Sequence, residues 1–435
     1  MAIYDYRRSL SLGQSKTSVM VVISFKSILK PRFMIIGDQG TFSNLPVTLE
    51  NMRIYPAKRE SLYYLVVIAI WTICVAARLK LNGLVYNLDY GLFQPDGMYY
   101  SFKTLEFLGW SDKTALAEVI NWYQGNSAKF QSLDVTSFNN PASTPWVVTQ
   151  FRIIYPLLSV PFVYLFGLSG MLVVPALSLL CFFLFIQKVA FIREIPNVGT
   201  ILILLFSCSP TLLRWTTVNY SDALLLAFFS LFAYLTYTSG GIWSTRNLIL
   251  LSLLIFLSTF TRQSLPIWLP IGIYFLLIKN VRVGLVTILT GLACSIPSIL
   301  TFPYGKFLGS KQEGDILPSI YGFFSNAIYV NLIEIAQLVV LDRTLLIILL
   351  FSCYCGFKFR DEIFGHLCLV TFCGGVLINS LVGVAGVNFR YLLPVLPFVI
   401  LVIIRSNLAT TIEESLKKYA LQPNSESHSY RVKER

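Results

Sequence analysis

The fold is decided by residues 62–78, which read LYYLVVIAIWTICVAAR. This apolar run is close to the ~20 residues that an α-helix needs to cross a bilayer, and its only charge, Arg78, stands at its end. The chain then leaves the membrane for a loop at 79–152, in which residues 87–100 read NLDYGLFQPDGMYY. Carboxylates are costly near lipid, so Asp89 and Asp96, placed seven residues apart among aromatic side chains, indicate a site.

The composition puts the whole chain in the membrane class. Of its 435 residues, 55% are hydrophobic and 13% are charged, whereas a soluble domain carries about a quarter charged residues. This composition predicts one polytopic helical bundle. The net charge of +12 does not indicate nucleic-acid binding, because the basic residues are dispersed at the ends of apolar runs. Cationic cytoplasmic loops account for them.

The cysteines and histidines limit which metal sites, disulfides and acid–base groups the chain can have. All eight cysteines fall within or at the ends of apolar runs, where thiols behave as small hydrophobes, so neither disulfides nor a zinc site are expected. The chain has only two histidines, His366 and His428. Acid–base catalysis must therefore use Asp or Glu, and we predict no cofactor and no metal ligands.

Hydropathy predicts about ten transmembrane helices. Two further apolar stretches, 153–166 and 320–341, are ambiguous, because the first is short and contains two prolines and the second carries Asn326, Asn331 and Glu334. If neither crosses, the basic loops all lie on the side of the N-terminus, which the positive-inside rule requires. We therefore expect both stretches to be re-entrant or to lie along the outer face. The ten predicted spans are 62–78, 168–187, 198–213, 221–238, 247–261, 265–278, 284–301, 343–357, 363–381 and 391–404.

Three regions follow from this topology. Residues 1–60 form a basic cytoplasmic segment, in which the apolar run 19–25 is expected to be interfacial or poorly ordered. Residues 61–405 form the transmembrane domain, with outer loops at 79–152 and 302–342. Residues 406–435 form a basic cytoplasmic tail, with an amphipathic helix expected around 408–420.

The predicted outer face gathers carboxylates and arginines at helix ends. A carboxylate there can take a proton from an attacking hydroxyl, and guanidinium groups grip phosphate in bidentate fashion. Together these groups suit a reaction on a lipid-linked phosphate at the membrane boundary. The face collects Asp89, Asp96, Arg152, Arg214, Asn219, Tyr220, Ser221, Asp222, Arg262, Gln263, Asn388 and Arg390.

Four segments carry a resemblance to a known family. Asp96-Gly97-Met98-Tyr99 resembles the D-x-x-Y segment in the first outer loop of the GT-C glycosyltransferases, which include the protein mannosyltransferases and the aminoarabinose transferases. The other segments occur in that family's order over roughly residues 60–405. They are residues 152–158 with 166–169, residues 209–210 with 221–224, and residues 388–394, which read NFRYLLP. The chain departs from the family in having Gly97 where a second acidic residue is frequent.

The resemblance implies a multi-pass enzyme that transfers a sugar, with inversion, from a polyprenyl-phosphate donor to a glycan, lipid or protein acceptor. It implies a place in a bacterial inner membrane, with the active site facing the exterior, and a role in cell-envelope glycans. Asp96 would be the general base, with Asp89 as its substitute, and Arg390 would bind the donor phosphate. Arg152 and Arg262 would be secondary phosphate ligands, and Asp222 would hold an arginine or the acceptor in place. The rings of Tyr99, Tyr100 and Tyr155 would stack on sugars, and Tyr391 would lie beside Arg390 in the binding site.

Each residue also has a purely structural alternative. Pro95-Asp96-Gly97 is a good turn sequence, and Asp222 is a good helix N-cap. Arg390 could extend to lipid headgroups. Arg214 beside Trp215 is typical of an interfacial anchor, whereas Arg262, in a short connection at membrane depth, needs a partner.

Other functional classes remain open. A polysaccharide polymerase would share the lipid-linked substrate and the arginines, but typically has its main loop late in the chain. A flippase or transporter would be expected to place charges within the spans and to show two related halves. A membrane scaffold would not need Asp96.

Overall fold

The chain divides into two compact units, Met1–Leu62 and Tyr63–Arg435. The computed structural model describes residues 2–5, 20–24, 32–36, 57–81, 95–126, 149–240, 242–301, 316–358, 363–382 and 390–421. The first unit contains a three-stranded antiparallel sheet in the order β1-β2-β3, formed by β1 (Ala2–Asp5), β2 (Met20–Ser24) and β3 (Arg32–Ile36).

This sheet corrects the all-α prediction for the N-terminal segment. The run that we expected to be interfacial forms the central strand, in which Val22 pairs with Ile3 of β1 and with Met34 of β3. The physical reason is local composition, since β-branched residues favour an extended, paired backbone.

The described residues of the second unit form helices and their connections. The segment that the sequence predicts as the first outer loop, called the first outer segment below, holds α2 (Pro95–Phe107) and α3 (Asp112–Asn126), and a short 3-10 helix spans Gly167–Leu172. A second 3-10 helix, Arg390–Val395, precedes α15. The other helices are α1 (Ala57–Leu81), α4 (Ile154–Phe166), α5 (Val173–Ile192), α6 (Pro196–Ser207), α7 (Pro210–Trp215), α8 (Asp222–Ser239), α9 (Thr245–Thr261), α10 (Leu265–Leu277), α11 (Val281–Thr301), α12 (Ile316–Leu341), α13 (Arg343–Lys358), α14 (Ile363–Val382), α15 (Leu396–Arg405) and α16 (Asn407–Leu421).

Helix α8 lies at the centre of the bundle. It is apolar on every side and packs against α5, α9 and α15, as expected of a helix without a polar face. Phe229 and Phe232 of α8 contact Trp268 of α10 with ring centroids 4.7 and 5.0 Å apart, and Phe232 also meets Phe398 of α15 at 5.7 Å. This aromatic core holds the first residue of α8, Asp222, in a defined place.

Each predicted span overlaps an apolar helix. The number of helices that are long enough to cross a membrane is smaller than the number of predicted spans. Among the described residues, five helices are long and apolar enough to cross a membrane, and seven if each of two bent pairs counts as one span. Helices α6, α9 and α10 are apolar but shorter. The fold is thus that of a multi-pass helical membrane protein.

The first ambiguous stretch folds back on itself. Helix α4 has 13 residues, about 20 Å, which is less than the ~30 Å hydrocarbon core. After it the chain reverses, so that the Tyr155 hydroxyl donates to the Met171 carbonyl oxygen at 2.8 Å. Gly170 lies against the Phe162 backbone so closely that a Cβ would overlap it. Residues 154–172 therefore form a helical hairpin whose base meets the first outer segment.

The second ambiguous stretch is a long helix, α12, which ends at a 114° bend before α13. The residue between them is Asp342, which is buried. One of its oxygens accepts from the Leu345 N–H (2.9 Å), and the other accepts from the Ser209 hydroxyl (2.5 Å) and the Thr211 N–H (3.0 Å). One carboxylate thus caps the N-termini of α13 and α7 together.

Replacing Asp342 with Ala is expected to destabilise the protein by about 2 kcal/mol, because two helix ends lose their acceptor and each cap contributes about 1 kcal/mol. Thermal unfolding in detergent, followed by tryptophan fluorescence, measures the effect. The matched variant S209A affects only the α7 end and is expected to lose about half as much. A D342A protein that melts with the wild type would contradict the shared cap.

The C-terminal helix is where we expected an amphipathic helix, and it turns by 64° from the preceding helix. Its buried Glu413 accepts from the Asn197 side chain (2.9 Å) and from the Val198 N–H (3.1 Å) at the start of α6. Nearby, the Arg405 guanidinium lies 5.1 Å from the Phe364 ring centroid. The end of α15 and the starts of α6, α14 and α16 thus lie together at one end of the second unit.

Candidate active site

Five charged side chains that the sequence singled out converge at helix ends. Asp96 is in the first turn of α2, Asp222 begins α8 and Arg390 begins the second 3-10 helix. Arg262 directly follows α9, and Arg152 precedes α4 by two residues. Distant segments therefore deliver two carboxylates and three guanidinium groups to one place.

The innermost contact is an ion pair between Asp222 and Arg262. The two side chains are only 2% and 4% exposed, so the pair is desolvated. Arg262 has extended backbone, and its guanidinium also lies over the Tyr391 ring, 4.4 Å from the centroid. Arg262, which the sequence predicts to lie at membrane depth, thus has the ionic partner that a buried charge requires. Asp222 in turn holds an arginine in place. Ser221, at the N-cap position, makes no side-chain capping bond.

Arg390 links the two carboxylates. Its Nη2 is 3.7 Å from Asp96 Oδ2, and its Nε is 3.8 Å from Asp222 Oδ1. The guanidinium is buried and has aromatic rings around it, at 5.0 Å from the centroids of Tyr220 and Tyr391 and 5.4 Å from that of Trp215. Such cation–π contacts hold the group in place. Arg390 therefore does not extend to lipid headgroups.

Arg152 is the third guanidinium, and it is held by neutral groups. Its Nη1 donates to the Tyr100 hydroxyl at 3.0 Å, and its Nη2 donates to Gln263 Oε1 at 3.3 Å. The Tyr100 hydroxyl also shares a hydrogen bond with Ser221 at 3.2 Å. Within the described part of the chain, no carboxylate lies within 4.0 Å of Arg152, and its Nε has no hydrogen-bond partner. Arg152 is therefore a buried guanidinium whose direct hydrogen-bond acceptors are neutral groups.

Asp96 is the carboxylate of the cluster that faces solvent. Its side chain is 38% exposed, against 2% for Asp222. The turn alternative is wrong for this segment, because Pro95 is the first residue of α2 and Asp96 and Gly97 continue the helix. Proline fits the first helical position, and an acidic residue in the first turn suits the helix dipole.

The tyrosines expected to stack on sugars lie inside the protein. Tyr99, Tyr100 and Tyr155 are each at most 5% exposed. Tyr100 and Tyr155 meet edge to face, with centroids 5.2 Å apart, because α2 packs on α4. Here the sequence expectation needs correction: these rings support the arginine cluster and do not present a face to a ligand. Asp89, the alternative base, lies outside the described residues.

Sequence reasoning gave one residue that surrounds these groups, Trp215, no role in the site. Trp215 was assigned to the membrane interface with Arg214, and Arg214 does lie over that ring at 4.8 Å, but the same ring also contacts Arg390. Trp215 stacks on Tyr220 at 5.6 Å. The available signal was the segment 215–222, WTTVNYSD, in which six of the eight residues carry a hydroxyl, amide or carboxyl group; all eight are buried in the structure.

The tyrosine hydroxyls near the cluster are not bases. Burial raises the pKa of Tyr220 well above its ordinary value, an effect to which the negative charge of Asp96 adds and which Arg390 opposes. Burial likewise raises the pKa of Tyr123. Both hydroxyls are therefore protonated at neutral pH, so neither offers a base.

The described residues contain no group of three or more His, Cys, Asp or Glu side chains placed to hold an ion. The cluster contains an exposed carboxylate beside guanidinium groups that their neighbours hold in place. Such a set can bind an anion and deprotonate a neighbouring hydroxyl. Comparisons with family models, with curated proteins and with solved structures found no match.

Proposed function

We propose that this protein is a membrane glycosyltransferase of the GT-C type, which moves a sugar from a polyprenyl-phosphate donor to a hydroxyl of a glycan, lipid or protein acceptor at the extracytoplasmic face. One observation carries the proposal. The solvent-facing carboxylate of Asp96 lies 3.7 Å from the buried guanidinium of Arg390, so a base and an anion-binding group meet at one opening.

The charge of the cluster supports a phosphate ligand. Among the described residues, three arginines face two aspartates, which leaves an excess of one positive charge. A phosphodiester that links a sugar to a polyprenyl chain carries one negative charge, so it would neutralise the cluster. Buried charges need such compensation.

The roles that we propose for the arginines differ from those that the sequence predicted. Arg262 is already occupied by Asp222, and its role is to position Asp222 and, through it, Arg390. Arg390 and Arg152 are the groups that bind the donor phosphate. Fixed donors aimed at a developing negative charge lower the barrier without reorganising during the reaction.

The proposed reaction is a single displacement. Asp96 takes the proton of the acceptor hydroxyl, and the acceptor oxygen forms a bond to the anomeric carbon of the sugar. The bond from that carbon to the phosphate oxygen breaks on the opposite face, and its electron pair stays on the phosphate. The leaving polyprenyl phosphate gains one negative charge, which Arg390 and Arg152 stabilise, and the anomeric configuration inverts.

Replacing Arg390 or Arg152 with Ala is expected to raise the KM for a polyprenyl-phosphate sugar about 10- to 100-fold, because a hydrogen bond to a charged group contributes about 1.5–3 kcal/mol. The assay uses purified protein in lipid nanodiscs with a radiolabelled donor. The matched variant K113A removes a basic residue exposed on α3 and should behave as the wild type. If all three variants gave the same KM as the wild type, the phosphate assignment would fail.

We extend the same proposal to the membrane topology. All ten predicted spans cross the membrane, and the hairpin 154–172 and the helix α12 remain on the outer side. Support comes from the separation of the two ends of the bundle: the acidic and arginine cluster joins one set of helix ends, whereas Arg405 and the C-terminal helix α16 join another. Labelling of a cysteine introduced at exposed position 114 by an impermeant reagent on intact cells tests the orientation.

A further inference from the structure

Gly97 of α2 and Asn219, three residues before α8, lie in unusually close contact. A Cβ atom on Gly97 would come within 2.5 Å of three atoms of the Asn219 side chain, Nδ2, Cγ and Oδ1. Real Cβ atoms do not approach so closely, so an alanine at this position would require either the Asn219 side chain or α2 to move. Both residues are buried, and Asn219 has no exposed surface.

The glycine is otherwise unfavourable there. Gly97 is helical with negative φ, so no turn geometry requires it. Within a helix, glycine costs about 1 kcal/mol relative to alanine. The benefit that offsets this cost is the approach of Asn219 to the backbone of α2, one residue from Asp96.

Asn219 is itself held by the neighbouring helix of the outer segment. Its Nδ2 donates to the hydroxyl of Tyr123 in α3, and that hydroxyl is 3.4 Å from the Ser101 hydroxyl of α2. Tyr123 is 1% exposed. The contact therefore joins three elements: α2 with Asp96, α3, and the segment that leads to Asp222.

We infer that Gly97 and Asn219 are positioning residues, which set the distance between the carboxylate of Asp96 and the arginine cluster. The inference rests on the proposed function, because it takes Asp96 as the base. Asp96 and Asp222 belong to different elements, and the Gly97–Asn219 contact is where those elements meet beside both carboxylates. Displacement of α2 by a methyl group would withdraw Asp96 while leaving the buried arginines in place.

The expected kinetic signature is therefore specific. The variant G97A should lower kcat about 100-fold, since a misplacement of about 1 Å can have that effect, while the KM for the donor stays within about twofold of the wild type. The variant G125A is the matched control, because Gly125 is also helical, in α3, and a Cβ there meets nothing within 4 Å. It should keep wild-type kcat.

The double variant G97A/N219A separates positioning from a general defect. Removing the Asn219 side chain makes room for the methyl group, so the double variant should regain at least tenfold in kcat over G97A. Hydrogen–deuterium exchange of the 95–107 amides gives a readout that needs no enzymatic activity. Exchange should be faster in G97A and should return towards the wild-type rate in the double variant.

Three results would decide against the inference: wild-type kcat in G97A, a raised donor KM with unchanged kcat, or a double variant no better than G97A. The proposed function is judged apart from it. If the amides show the expected loss and recovery but wild-type protein transfers no sugar, the contact stands and the glycosyltransferase proposal falls. If D96N abolishes transfer while G97A leaves kcat and exchange unchanged, the contact is not a positioning device.

Discussion

The variant D96N is expected to lose sugar transfer by a factor of about 10² to 10⁴, the range that general acid–base catalysis contributes. Asparagine keeps the shape of aspartate but cannot accept the acceptor proton. The second carboxylate of the cluster cannot replace it, because Asp222 is buried and bound to Arg262. The measurement is transfer from a radiolabelled polyprenyl-phosphate sugar in nanodiscs at saturating donor.

The control for this variant lies on the same helix. Glu106 is also a carboxylate of α2, but it is paired with Lys103 at 3.1 Å on the protein surface, ten residues from the cluster. E106Q should keep wild-type transfer, which shows that loss of a charge from α2 is not sufficient. Transfer by D96N at the wild-type rate would remove Asp96 as the base and leave Asp89, the alternative base.

The variant R262A is expected to destabilise the protein by about 3–5 kcal/mol, the cost of removing one partner of a buried ion pair. Asp222 would keep a negative charge in a desolvated place, with one oxygen that already has no hydrogen-bond partner among the described residues. Arg390 would remain as its cationic neighbour, but its Nε is 3.8 Å from Asp222 Oδ1, which is beyond hydrogen-bond distance. Thermal unfolding in detergent measures the loss.

The other end of α9 provides the comparison. Arg246 is exposed in the first turn of that helix, so R246A removes a guanidinium group without unpairing a buried charge, and should change stability by less than about 0.5 kcal/mol. A double variant, R262A/D222A, should lose less than the sum of its single variants, because neither charge is left alone. Equal melting of R262A and R246A would show that the pair does not stabilise the fold.

The sequence was sufficient for the helices and for the charged residues at their ends. Apolar periodicity and length depend only on local composition, so each of the ten predicted spans overlaps helical residues, and 153–166 overlaps a helix that a 3-10 turn joins to α5. The sequence did not settle the number of membrane crossings, because the helices α6, α9 and α10 are shorter than a bilayer requires. The N-terminal strands were missed, since a five-residue strand is stable only with the partners that tertiary pairing provides.

By itself, therefore, the sequence determined that this is a helical membrane protein, and which carboxylates and arginines stand at helix ends. Only the tertiary structure decided which of them pair. Arg390 meets Asp96 and Asp222 across 294 and 168 residues, and the aromatic rings around it come from two further segments. Ion pairing requires approach to about 4 Å. That distance depends on how helices rotate and pack against one another, down to the single methyl group that Gly97 lacks.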